Sequence, residues 1–124
     1  MVEDMSRNFC LFSPTSWVPM ADVYEDDQHI AIVVDLAGVE RDNLRVTLDG
    51  RIIEITGRRN SPCPLGPVRI RQMEIDTGEF KRRIALPGSV IFEESACTYK
   101  EGLLSIVLPK KTKPEVIQIP VESE

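Results

Sequence analysis

Leu44-Arg45-Val46-Thr47-Leu48-Asp49-Gly50-Arg51-Ile52-Ile53-Glu54-Ile55 sets two apolar-rich runs on either side of an Asp-Gly pair. Leu44, Val46 and Leu48 alternate with Arg45, Thr47 and Asp49, a period of two that gives one buried and one wet face. Asp49-Gly50 then turns the chain back into Ile52-Ile53-Glu54-Ile55, because Asp-Gly tolerates the positive φ that a tight hairpin needs. The stretch reads as an antiparallel β-hairpin.

The same alternation recurs on either side. Strands are expected at Asp22–Tyr24, His29–Asp35, Leu44–Leu48, Ile52–Gly57, Ile70–Ile75, Phe80–Leu86, Ala96–Tyr99 and Leu103–Leu108. Turn chemistry separates them: Glu25-Asp26-Asp27, Asp49-Gly50, Asp76-Thr77-Gly78 and Lys100-Glu101-Gly102. Helical periodicity is almost absent. Short strands at this spacing predict an all-β, two-sheet antiparallel sandwich of immunoglobulin-like type rather than a barrel around a cavity. The expected organisation is an arm over 1–19, one sandwich domain over 20–109 and an extension over 110–124.

Composition narrows the function classes. A chain of 124 residues, 42% hydrophobic and 28% charged, holds one real core and reads as globular. Its net charge of -5 and the lack of a basic stripe with interleaved aromatics argue against nucleic acid as a partner. The run Arg69, Arg71, Lys81, Arg82, Arg83 is offset by Glu74, Asp76 and Glu79, the pattern of charged strands rather than a polyanion site. No apolar run reaches membrane length. The first residues, Met1-Val2-Glu3-Asp4-Met5, are acidic where a signal peptide is basic and then apolar, so a cytoplasmic location is expected. Cys10, Cys63 and Cys97 are odd in number and widely spaced, which suggests neither a disulfide framework nor a zinc site. Cys97, in a strand, is expected to be a small buried residue.

Little in the chain suggests catalysis. The single histidine, His29, heads a strand after an acidic turn and reads as an exposed residue. There is no metal-ligand spacing, no Gly-rich phosphate loop and no nucleophile elbow. An enzyme, a cofactor and a metal are therefore not expected. A hydrolase built on a carboxylate pair brought together by folding is the weakest of the alternatives.

The two ends carry a different signal. The arm places Phe9, Leu11, Phe12 and Trp17 in a segment broken by Pro14 and Pro19, too short to fold alone. Disordered tails avoid aromatics, so the arm either buries them on another molecule or packs back on its own sandwich. Beyond Lys110, Ile117-Gln118-Ile119 lies between Pro114 and Pro120, and an extended backbone puts both Ile side chains on one face. Two readings are open: a plug for a groove in another subunit, or a last strand of the chain's own sheet.

Several blocks together resemble one family. Ala96-Cys97-Thr98-Tyr99-Lys100-Glu101-Gly102-Leu103-Leu104, followed by Ser105-Ile106-Val107-Leu108-Pro109, resembles the alpha-crystallin domain signature. Gly78-Glu79-Phe80-Lys81-Arg82-Arg83-Ile84-Ala85-Leu86-Pro87 is similar to the Gly-x-Phe-x-Arg…Leu-Pro block of small heat-shock proteins. Asp35-Leu36-Ala37-Gly38-Val39 resembles their Leu-Pro-Gly turn, Asp22-Val23-Tyr24-Glu25 their opening strand, and Ile117-Gln118-Ile119 their Ile-x-Ile tail. The likeness, of bacterial type, runs over about residues 20 to 120.

The resemblance implies an ATP-independent holdase that binds unfolding client proteins and assembles into homodimers and higher homo-oligomers. It implies that Ile117 and Ile119 of one subunit fill a groove of another, lined by Leu44, Val46, Leu48, Ala96 and Thr98. Two Ile side chains gain about 2–5 kcal/mol on burial, much of it offset by ordering the tail, so each contact would be reversible. Arg82 falls at the family's dimer-interface arginine, and Phe9, Leu11, Phe12 and Trp17 would form a client-binding arm. Ala37 stands where the family usually has Pro, and an arm of 19 residues is short for it. Pro62, Pro64 and Pro67 argue against the exchanged strand that bacterial and plant members carry in this loop. The competing reading is a monomeric adaptor or co-chaperone of CS-domain type, which the tail, the arm and Arg82 count against.

Overall fold

The computed structural model of the chain describes residues 17–111 and 119–123. Seven strands follow in order: β1 (Ala21–Glu25), β2 (His29–Asp35), β3 (Arg45–Asp49), β4 (Ile52–Arg59), β5 (Gly78–Ala85), β6 (Ala96–Lys100) and β7 (Leu103–Pro109). Short 3-10 turns at Arg41–Asn43 and Phe92–Glu94 are the only helical pieces among the described residues. One sheet has the order β1-β2-β7-β6 and the other β3-β4-β5, all pairs antiparallel. The expected two-sheet sandwich is what the chain forms.

The alternation in the sequence sets which face each strand buries. Ile30, Ile32 and Val34 on β2 pair with Leu108, Ile106 and Leu104 on β7, and all six are buried. From the other sheet Ile53 and Ile55 on β4 meet them, with Phe80 and Ile84 on β5. Each such side chain contributes about 1.5–3 kcal/mol relative to exposure, which makes this stripe the main stabilising element. The opposite face of β4 and β5 is wet, and there Glu54 lies 3.5 Å from Lys81 and 3.0 Å from Arg83.

The expected hairpin over 44–55 forms with Gly50 and Arg51 at its tip, Asp49 pairing with Ile52. Gly50 supplies the positive φ, 65°, that the turn requires. At the β6–β7 turn, Glu101 and Gly102 both take positive φ, and Lys100 pairs with Leu103.

The segment 70–75 departs from expectation, for it is not a strand and its residues are exposed. β4 offers it no edge, being paired by β3 on one side and by β5 from Ile52 to Arg59 on the other, and the segment does not add to the outer edge of β5 either. Three prolines upstream further disfavour pairing. Residues 60–77 therefore form one long connection, along which Leu65, Val68, Ile70, Met73 and Ile75 are exposed.

Candidate functional site

The topology leaves one side of the sandwich open. Arg82 on β5 donates from Nη1 to the Pro19 carbonyl at 3.1 Å, just ahead of β1, so β5 and β1 share one side of the sandwich. At the far side the edge strands are β3 and β6. Leu44, Val46 and Leu48 are half-buried against the core there, with Val90, Phe92 and Tyr99. Val46 and Leu48 pair with the buried Ile55 and Ile53, so the β3 side chains point between the sheets.

On β6 the register corrects the expected lining. Cys97 and Tyr99 pair with Ile106 and Leu104, both buried, and therefore share their inward face. Ala96 and Thr98 pair with Val107 and Ser105 and point outward, both exposed. The open edge is thus lined by Leu44, Val46, Leu48, Cys97 and Tyr99. Cys97 is exposed, not buried as expected, because β6 has no strand beyond it. Its partial burial still pushes the thiol pKa up.

The C-terminal extension leaves β7 beside this edge. Lys110 bridges to Val90, and the Lys111 N–H donates to the Ser89 carbonyl at 2.9 Å. Ile117 lies outside the described residues. Ile119 is described, belongs to no strand and is 79% exposed.

Arg82 sits on the inward side of β5, opposite Ile55, and is half-buried beside Pro19 rather than solvated. Of the arm residues, Phe9, Leu11 and Phe12 lie outside the described residues. Trp17 corrects its assignment to a client-binding surface, since it is 7% exposed and part of the core. Its ring packs on Phe80 with centroids 4.9 Å apart, and its indole N–H donates to the Gly78 carbonyl at 3.1 Å. The chain's own sandwich claims it.

Elsewhere the connection 60–77 curls around a cleft of about 550 Å³ whose lining includes Pro62, Leu65, Val68, Ile70, Met73 and Ile75. Among the described residues no cluster of His, Cys, Asp or Glu has the spacing to hold a metal ion. None of their helices is long and apolar enough to cross a membrane. His29 Nδ1 stands 3.5 Å from Asp26, which itself accepts the N–H groups of Gln28 and His29. That arrangement is a turn.

Known proteins share both the sequence and this shape. Residues 22–122 match the Hsp20/alpha crystallin family. A probable 15 kDa heat shock protein of Leptospira interrogans is 36% identical over 106 residues, covering 86% of this chain and 79% of that protein. Small heat shock protein C4 of Rickettsia felis is 30% identical, over 83% of this chain and 63% of its own length. Among solved structures, a small heat-shock protein from Xylella fastidiosa superposes with a TM-score of 0.72 at 28% identity, covering 88% of this chain and all of that one. The hspA protein of Xanthomonas axonopodis gives 0.70 at 32% identity, over 78% and 97% of the two chains.

Proposed function

The chain belongs to the Hsp20/alpha-crystallin family, whose members are chaperones, and on that premise we propose that it is an ATP-independent holdase assembled through its C-terminal tail. One observation carries the reading. The sandwich leaves an apolar edge open between β3 and β6, while the extension that starts beside it presents Ile119 to solvent. Ile117 and Ile119 of one subunit enter that edge on another, lying across Leu44, Val46, Leu48, Cys97 and Tyr99.

Such contacts are individually weak, because ordering the tail offsets much of what two buried Ile side chains gain. An assembly held by many of them loosens on heating and frees apolar surface for unfolding clients. Clients are recognised through apolarity, and both the arm bearing Phe9, Leu11 and Phe12 and the exposed connection 60–77 suit that role. Arg82 serves the dimer interface from the β5 edge, where its bond to Pro19 fixes the side chain beside the arm.

The test is native mass by light scattering for the full chain beside an Ile117→Ala, Ile119→Ala double variant. A heat-labile client is then aggregated with each protein, without ATP. Large wild-type assemblies that fall to dimers in the variant, with protection of the client, are expected. The same small species in both proteins would favour the monomeric adaptor instead.

A further inference from the structure

Arg59, the last residue of β4, joins three segments that are distant in sequence. Its Nε donates to the Ala37 carbonyl at 2.8 Å, in the connection between β2 and β3. Its Nη1 donates to the Asp76 carbonyl at 2.8 Å, where the connection 60–77 closes. The guanidinium carbon lies 4.2 Å from the centroid of the Trp17 ring, a cation–π contact at the root of the arm. Trp17 in turn donates to Gly78, the first residue of β5. The connection therefore leaves from Arg59 and returns at Asp76–Gly78, and the indole sits at this neck.

From this geometry we infer that Arg59 is a coupling residue that makes the arm root and the neck of the 60–77 connection open as one unit. A planar guanidinium reaches two carbonyls and a ring face at once, which a lysine ammonium on a single stem does not. Lifting Trp17 removes the ring from the guanidinium and the N–H from Gly78, so both ends of the neck loosen. Straightening the neck withdraws Arg59 and uncovers Trp17 and Phe80, which are 7% and 2% exposed when closed. Apolar surface at the arm root is thus released when the neck opens, and it joins the apolar residues that the connection already exposes. The inference rests on the holdase reading for its purpose, and on the contacts alone for the coupling.

The chain's single tryptophan reports one half of the device, and Arg69 and Arg71, exposed in the connection, are tryptic sites that report the other. The full chain is compared with Arg59→Gln, Arg59→Lys, Trp17→Phe and Trp17→Ala. Trp17 emission is recorded, and the initial rate of cleavage after Arg69 and Arg71 is followed by mass spectrometry. Arg59→Gln is expected to shift the emission to the red and to speed cleavage about three- to tenfold. Trp17→Phe and Trp17→Ala are expected to speed cleavage in that order, although Trp17 is more than fifty positions from Arg69 and Arg71 in sequence. Arg59→Lys keeps the charge and a native far-UV spectrum and is expected to resemble Arg59→Gln. Unchanged cleavage in both Trp17 variants, or unchanged emission in both Arg59 variants, would overturn the coupling. A client-aggregation assay on the wild type separates the two ideas, because absence of protection there overturns the holdase reading while the emission and cleavage results stand.

Discussion

Tyr99 on β6 donates its hydroxyl to the Leu36 carbonyl at 2.5 Å and accepts the Val39 N–H at 3.2 Å. A side chain on one lip of the open edge thus holds the connection that leads to the other lip, β3. The same connection is tied from below, since the Leu36 N–H donates to the Gly102 carbonyl at 2.8 Å.

Tyr99→Phe removes both bonds without changing the ring. The expected cost is about 0.5–1.5 kcal/mol, the net worth of a hydrogen bond, because the Val39 N–H and the Leu36 carbonyl keep their own bond at 3.1 Å and neither is left unpaired. Urea unfolding checks it, the midpoint falling with an unchanged slope. A midpoint equal to wild type would mean that water replaces the hydroxyl at no loss.

Gly57 is a second point where the fold tolerates one residue. A Cβ there would lie 2.5 Å from the Asn43 carbonyl oxygen and 2.6 Å from the Phe80 ring. Exchanging Gly for Ala inside a strand is ordinarily favourable, but here the close backbone contact decides the sign. Gly57→Ala is expected to destabilise by about 1–3 kcal/mol, as overpacking does. Thermal unfolding measures this, and a raised Tm would show that the Asn43 turn yields instead.

The strand pattern and the hairpin tips were legible because period-two alternation and turn residues act locally. Residues 70–75 show the complementary limit: their apolar residues suggest a strand locally, yet a strand needs a partner, and this segment pairs neither with β4, which is taken on both sides, nor with the outer edge of β5. The lining of the open edge failed by one position of parity. The signal was present, since a two-residue turn at Glu101-Gly102 pairs Lys100 with Leu103 and hence sets Cys97 opposite Ile106. Motif likeness at Ala96 and Thr98 outweighed it. Trp17 and Arg59 could not be joined from sequence, because their contact depends on how the chain enters β1 and leaves β4.

Acid sensitivity follows from the turn ahead of β2. Asp26 accepts the N–H groups of Gln28 and His29, in that order of effect, and its carboxyl titrates below the ordinary 3.8. A depressed folded pKa means that the contribution is present above the unfolded value and is lost as pH falls through the folded one. Asp26→Ala is therefore expected to lower stability near neutrality and to lose less than wild type as the pH falls below the ordinary carboxylate value of 3.8. Chemical unfolding at a series of pH values checks this. Parallel curves for the two proteins would place the acid sensitivity elsewhere.

The register of β6 makes the sharpest prediction for assembly. Cys97 faces the open edge and Thr98 faces away, one residue apart on the same strand. A carboxylate at either position has similar strand propensity and adds the same charge, so the pair separates groove chemistry from general destabilisation. In the groove, Cys97→Glu forces the Ile pair to cover an unpaired charge at a cost of several kcal/mol, about as large as the gross gain of two buried Ile side chains. Native mass by light scattering is expected to fall in Cys97→Glu to that of the Ile117→Ala, Ile119→Ala variant, and to remain at the wild-type value in Thr98→Glu. Comparable thermal midpoints for the two Glu variants would confirm that folding is not the difference. The reverse pattern, with Thr98→Glu disassembled and Cys97→Glu intact, would place the tail on the outer face of the sheet and overturn the groove assignment.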